Sequence, residues 1–412
     1  GRAFTAAGAV PPRPQALSRP PPPARVRRRR GRTALVCAGG GVTGAVYEIG
    51  CLRALEEELD RSVLDFDLYV GVSGGAFVAA LLAAGVSPVE MYDEVTSRAG
   101  GTAAAPLFRL GAREFLRRSL RAPRVLARAA RDALAGEAPP LADLALSLFE
   151  ALPAGLLDNS GLQEYLARAL RRRGLRDSFR SLPRELHVVA VDLDRGDAVA
   201  FGARSHPRVP VSRAVQASTA LPGLYRPVRI RGRDYVDGGV KKTAHINLAI
   251  RQGADLVVCI NPIVPLRNDT GHGRPWGGHL SERGVTWVLD QALRVMLHGR
   301  MEYGLERYRA EHPEVDIVLL QPAPRDLDMF RYNIMRYSAR RVLAEHGYGS
   351  VRQAFRRHRR RYKDVFGRHG IALRRAGAVP SLPVAREERS AVGRRLAASL
   401  DRLRSALDRW SP

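Results

Sequence analysis

The sequence predicts an α/β fold, a sheet crossed by helices, and three observations lead there. Thr33 to Ala38 is an unbroken apolar run bounded by Gly39-Gly40-Gly41, the pattern of a strand buried on both faces. Behind it, Val46, Ile49, Leu52, Leu55 and Leu59 recur every three or four residues, so Gly44 to Leu59 reads as a helix. The unit then repeats, with a strand at Phe66 to Val72 and a helix at Gly74 to Ala84. Strand, helix, strand, helix is the order of a sheet built with crossovers. At 412 residues and 45% apolar, the chain has material for one large or two ordinary cores, which excludes a disordered protein.

Gly85 caps the second helix, and Ser87-Pro88 starts a third, with Ser as cap and Pro in the first turn. Farther on, Leu186 to Leu193 and Ala198 to Phe201 form a hairpin around Asp194-Arg195-Gly196-Asp197. Tyr235-Val236 is a short strand, Ala244 to Arg251 a helix, and Asp255 to Ile260 another buried strand. Helix returns from Gly284 to about Arg309, followed by a strand at Val315 to Leu320 and a final amphipathic helix at Arg386 to Trp410. Between residues 107 and 134, seven arginines step by three or four, a spacing that lines them along one helical face, split at Pro123. Such a face is ordinarily solvated; its sharper reading is a lid, within a cap spanning 107–157, resting on an anionic membrane surface.

The net charge of +26 suggests nucleic acid at first sight, but its distribution argues otherwise. Residues 1–32 contribute +9 and residues 356–412 contribute +11, leaving +6 for everything between. The first segment, Pro- and Arg-rich, reads as a disordered arm, and the last as a basic helical tail around a domain at 33–355. Nearly all the positive charge is Arg, a bias that GC-rich coding produces without any ligand, so no specific nucleic acid is expected. Cys37, Cys51 and Cys259 are too few and too scattered for a disulfide framework or a metal site, which fits a reduced, cytoplasmic setting. The longest apolar run, Ala76 to Ala84, is too short to span a bilayer, and the stretch after Arg27 to Arg30 leads into glycines, as a strand does and an export signal does not.

Chemistry concentrates in three places. Gly71-Val72-Ser73-Gly74-Gly75 fits G-x-S-x-G where a strand meets a helix, a sharp turn that pushes a hydroxyl outward; the bland alternative is a Gly-rich turn with a Ser cap. Gly39-Gly40-Gly41-Val42-Thr43-Gly44 can turn backbone N–H groups toward a developing oxyanion, with Gly74 adding another. The same six residues satisfy G-x-G-x-x-G, a dinucleotide fingerprint, but the second strand runs into Ser73 rather than the acidic residue a ribose needs. A Walker loop fails because Ala45-Val46 stand where Lys-Ser/Thr is required. For a base, Asp237-Gly238-Gly239 ends a strand in a turn able to approach Ser73, provided burial raises the carboxylate's basicity. His245, eight residues on, is the weaker candidate, more in keeping with a helix cap.

These blocks, in this order, resemble the patatin-like phospholipase family. Its oxyanion loop is similar to Gly39–Gly44, its nucleophile elbow to Gly71–Gly75, and its Asp-Gly-Gly/Ala element to Asp237–Gly239. Ala217 to Pro227 is similar to the family's small-residue segment before the catalytic Asp. The likeness covers roughly residues 33 to 350 and departs at Thr43, where the family usually carries a basic residue. It implies a three-layer α/β/α acyl hydrolase with a Ser73–Asp237 dyad and no histidine, metal or cofactor. It implies a lipid ester as substrate, and with that substrate class the charge of the basic ends leads us to expect peripheral contact with an anionic membrane surface. Two rivals remain on the residues alone: a nucleotide-binding protein using the glycine loop, and a non-catalytic lipid- or nucleic-acid-tethering protein using the basic ends.

Overall fold

The computed structural model describes residues 31–97, 109–110, 127, 131, 154–268, 278–323 and 339–375. The segment 1–30, most of the 107–157 region and the helix expected at Arg386 to Trp410 lie outside them. Arg109–Leu110, expected at the start of a helix, is instead a two-residue strand.

Strand β1 (Arg32–Cys37) is followed by helix α1 (Gly41–Glu58), strand β2 (Leu68–Val72), helix α2 (Gly74–Ala83) and helix α3 (Pro88–Thr96). Helix α1 starts three residues before the expected Gly44, because the glycine loop winds into the first turn, with Gly41 at φ 61°. Strand β2 starts two residues late because Val63–Asp65 is a 3₁₀ turn capped by Ser62, whose Oγ accepts from the Leu64 N–H. The start of α3 has a full capping box: Ser87 Oγ accepts from Glu90 N, and Glu90 Oε2 accepts from Ser87 N.

After β3 (Arg109–Leu110) and β4 (Gly155–Asp158) come α4 (Ser160–Arg172), β5 (Glu185–Asp192), β6 (Asp197–Phe201) and α5 (Val211–Ser218). Strands β7 (Gly223–Tyr225), β8 (Val228–Ile230) and β9 (Arg233–Asp237) precede α6 (Ile246–Arg251) and β10 (Ala254–Ile260). The chain continues through α7 (Val285–Glu311), β11 (Asp316–Leu320), α8 (Arg340–Arg357) and α9 (Arg359–Arg368). Eight strands form one mixed sheet in the order β11-β10-β1-β2-β5-β9-β8, with β6 also on β5; β3, β4 and β7 form a small second sheet.

The main sheet is covered on both faces, which makes three layers. Leu35, Cys37, Tyr69 and Val258 join α1, α2 and α8 in one core, while Ala34, Val36, Val70 and Val257 join α6 and α7 in the other. Successive strand residues point to opposite faces, so a continuous apolar run can supply two cores at once. The domain also extends past the expected boundary at 355. Helices α1 and α8 cross with almost no space between their backbones: a Cβ on Gly50 would sit 1.9 Å from Ala344 O, and one on Gly347 2.1 Å from Tyr47 O. Helix α9 buries Phe366, Arg359 pairs with Glu58 (3.3 Å), and the Arg374 N–H donates to Glu58 O (2.9 Å), so residues 356–375 belong to the fold rather than to a tail.

Candidate active site

Ser73 sits at the abrupt end of β2. Its φ of 53° and ψ of −129° are costly for a residue with a side chain, and the neighbouring glycines explain how the turn is tolerated. A Cβ on Gly71 would meet Ala76 Cα at 2.4 Å, one on Gly74 would meet Gly41 O at 2.2 Å, and one on Gly75 would meet Ala38 O at 2.4 Å. The strained residue is also tied down: Ser73 N donates to Ser218 Oγ (2.9 Å), and Ser218 Oγ donates to Val189 O (2.6 Å).

Register brings Asp237 to the same point from the other direction. Strand β6 pairs with Val188 to Asp192 along one edge of β5. The other edge is therefore shared, with β2 parallel up to Val72 opposite Val189 and β9 antiparallel, ending with Asp237 opposite Ala190. Two strands thus meet tip to tip on one neighbour, and the residues at their tips face each other. Ser73 Oγ donates to Asp237 Oδ2 at 2.5 Å, although the two are 164 positions apart. The Gly239 N–H donates to Asp237 Oδ1 (2.7 Å), and Gly238 leaves room for Val189 O, which a Cβ would approach to 2.3 Å.

Asp237 is 2% exposed and Ser73 8%. Burial pushes the Asp237 carboxyl up to about 6, against the opposing pull of hydrogen bonds from Ser73 and the Gly239 N–H. That leaves it ionised at neutral pH and far more basic than an exposed aspartate. His245, the weaker base candidate, is buried at the cap of α6; burial and the nearby Lys242 push it down to about 4, so it is neutral. Its Nε2 has no hydrogen-bond partner among the described residues.

Gly39, Gly40, Gly41 and Gly74 all border Ser73 in one cavity. They are not equivalent. The Gly39 N–H donates to Thr243 O (2.8 Å), which corrects the expectation that it faces an oxyanion. Gly41, Val42 and Thr43 open α1, and a helix's first amides have no carbonyl a turn back to bond. The Gly44 N–H closes that first turn on Gly40 O (2.9 Å). Gly74 opens α2 and is in the same position as Gly41, so two helix N-termini converge beside the hydroxyl.

The cavity measures about 240 Å³. Its polar end is Ser73, Asp237 and the glycines; its body is Val46 and Ile49 of α1, Phe77 and Leu81 of α2, Met91 and Val95 of α3, and Leu162 of α4. Such a site can activate a hydroxyl at one end and hold an aliphatic chain along the rest. Among the described residues no cluster of His, Cys, Asp or Glu is disposed to hold a metal ion, and no helix is long and apolar enough to cross a membrane.

Two contributors were not singled out from sequence. Ser218 lies inside the Ala217–Pro227 block, but only its paired hydrogen bonds reveal that it fixes the Ser73 backbone. Buried Asn159, in the cavity wall, donates through Nδ2 to Gln216 O (2.8 Å) and Thr219 Oγ1 (3.0 Å), steadying the end of α5. Its signal was the polar Asp158-Asn159-Ser160 run before an amphipathic helix.

A family model described as patatin-like phospholipase matches residues 35–250. Uncharacterized NTE family proteins of Mycobacterium bovis and Mycobacterium tuberculosis are each 27% identical over 236 residues, which is 57% of this chain and 31% of theirs. The chain therefore spans about a third of the length of these relatives. A patatin-like phospholipase domain-containing protein of Aspergillus clavatus is 55% identical over 53 residues, 13% of this chain and 7% of its own. Among solved structures, VipD from Legionella pneumophila aligns over 80% of this chain and 67% of that one, with 15% identity and a TM-score of 0.37. The type III effector ExoU aligns over 79% and 53%, with 14% identity and a TM-score of 0.33.

Proposed function

The chain belongs to the patatin-like phospholipase family, and from that premise we propose that it is a serine acyl hydrolase of lipid esters acting through a Ser73–Asp237 dyad. The observation that carries this reading is the 2.5 Å hydrogen bond between a strained serine and a buried, basic aspartate at the head of an apolar cavity.

Asp237 Oδ2 takes the Ser73 proton as Oγ attacks the ester carbonyl carbon. The carbonyl oxygen becomes an oxyanion beside the N–H groups at the starts of α1 and α2, notably those of Gly41 and Gly74. Collapse of the tetrahedral adduct breaks the bond to the alcohol, which leaves with the proton held on Asp237, and the acyl group stays on Oγ. Water then gives its proton to the regenerated carboxylate and attacks the acyl-enzyme. The fatty acid departs and Ser73 recovers its proton. The acyl chain lies along Val46, Ile49, Phe77 and Leu81 throughout. This reading specifies neither the head group nor the position of cleavage.

A fluorophosphonate probe tests this directly. Wild type should be labelled on Ser73, whereas Ser73→Ala should be unlabelled and Asp237→Asn labelled far more slowly. Undiminished labelling of Ser73→Ala would move the nucleophile elsewhere.

A further inference from the structure

Helix α7 has two apolar faces. Leu297, Met301, Leu305 and Tyr308 are buried, three of them against the sheet-facing core. On the other side Val285, Val288, Leu289, Val295, Met296 and Tyr303 are each 45 to 70% exposed. At 3.6 residues per turn these six, with Ala292 and Gly299, share one arc of about 120°. From Val285 to Gly299 that arc contains no charged residue: Asp290, Arg294 and His298 all fall outside it. A contiguous exposed apolar patch of this extent marks an interaction surface.

We propose that this face of α7 seats the protein on a lipid bilayer, with its apolar side chains in the interface and the cavity mouth opening against the membrane. The choice of occupant rests on continuity. Leu293, 38% exposed and about 40° beyond the arc, one turn from Leu289 and Met296, also lines the cavity, and so does Val240, 46% exposed and next to Gly239. The Arg300 guanidinium donates to Val240 O (3.2 Å), which fixes that rim to the helix. An acyl chain leaving a bilayer would thus pass over Val240 and Leu293 to Ser73 without crossing water. A second protein copy on the same face would cover that entrance instead. The border suits phospholipid head groups: exposed Lys241 follows Val240 directly, and exposed Arg300 lies beside the arc. Glu302, just beyond the arc, pairs with His298 (3.2 Å). The use made of the entrance rests on the hydrolase reading above, whereas the seating itself does not.

The test compares the wild-type 412-residue chain with Leu289→Asp/Met296→Asp, two exposed positions outside the cavity wall. Sedimentation with phosphatidylcholine–phosphatidylglycerol vesicles at high salt measures seating, because the contribution of the basic segments is then screened. Turnover of a short, soluble p-nitrophenyl ester reports the chemistry separately. Wild type should sediment, and the double variant should partition at least about tenfold less while turning over the soluble ester as wild type does. Equal sedimentation of the two proteins, or none for wild type, overturns the proposal. So does a wild-type dimer, seen by analytical ultracentrifugation, that the variant dissociates without change in vesicle binding. Loss of vesicle binding in the variant, with no ester turnover by either protein, would uphold the surface and remove the hydrolase reading.

Discussion

Replacing Asp237 with Asn should slow turnover sharply and stabilise the protein, and the second effect should depend on pH in a defined direction. In the folded chain the carboxyl is raised from 3.8 to about 6, chiefly by burial. The folded state therefore holds the proton more tightly than the unfolded chain does between those values. Stability of the wild type must fall as pH rises through that window. A displacement of about two units amounts to on the order of 3 kcal/mol once the group is fully ionised. Asn carries no charge and can keep both contacts, with its carbonyl accepting from Gly239 N and its amide donating to Ser73 Oγ, where Asp237 now accepts. Urea titrations of both proteins across a pH series measure the difference. The two should be nearly equal at about pH 4, diverge through about pH 6, and differ by on the order of 3 kcal/mol at about pH 8 in favour of Asn. Loss of the general base should cost kcat about a hundred- to ten-thousandfold. A stability difference that stays flat with pH, or an Asn variant that is the weaker protein at pH 8, would refute the buried-carboxylate account.

The remaining expectations use the same soluble-ester assay or a denaturation curve. The kcat/KM profile of wild type should rise with an apparent pKa near 6 as Asp237 ionises; a profile flat from about pH 5 to 8 would assign the base elsewhere. Ser218→Ala removes the acceptor of the Ser73 N–H and leaves Val189 O without its donor, so kcat should fall roughly ten- to a hundredfold with KM within about twofold. An increase confined to KM would show that Ser218 shapes the cavity rather than the elbow. Gly347→Ala places a methyl 2.1 Å from Tyr47 O and should cost about 3 kcal/mol in unfolding free energy, since α1 and α8 can separate only by disturbing the core. Ile49→Trp narrows the body of the cavity, and preference should shift roughly tenfold from long to short acyl esters; unchanged chain-length preference would place the acyl chain elsewhere.

What could be read from the sequence was local. Strand β1, the glycine loop, α1, β2 and the elbow follow one another within a short stretch, where apolar period and glycine placement are sufficient signals. Helix α8 escaped because its Arg-rich sequence hides a narrow buried stripe of Leu343, Ala344, Gly347, Tyr348, Val351 and Phe355. Its partner is α1, and the fit depends on glycines at 50 and 347, a complementarity that neither segment displays alone. The short strands β7 and β8 escaped for a similar reason, since three residues cannot establish a period. Around the site, the residue types at 73 and 237 were legible, whereas their pairing was implied by the family resemblance and by no local pattern. Their proximity arises from β5 accepting β2 and β9 in succession along one edge.

Burial alone does not make a base, as three buried ionisable groups in this fold show. Glu48 on α1 is fully buried, and desolvation raises its carboxyl well above the ordinary range, which disfavours its charged, proton-accepting form. His245 is pushed the opposite way by the same cause, down to about 4, and is neutral. Asp237 has two hydrogen bonds opposing the desolvation, from the Ser73 hydroxyl and the Gly239 N–H, and at about 6 it keeps its charge at neutral pH. The N-terminus of α2 begins at the residue after Ser73, and that of α1 packs directly against it, so both direct positive dipole ends toward the dyad. In the proposed cycle the negative charge moves from the carboxylate to the oxyanion and back. Two helix ends fixed by the glycine contacts at 41 and 74 can meet that charge in either place without reorganising. The strain at Ser73 then has a physical reason, since a relaxed backbone would swing the hydroxyl away from the point where carboxylate and helix ends converge.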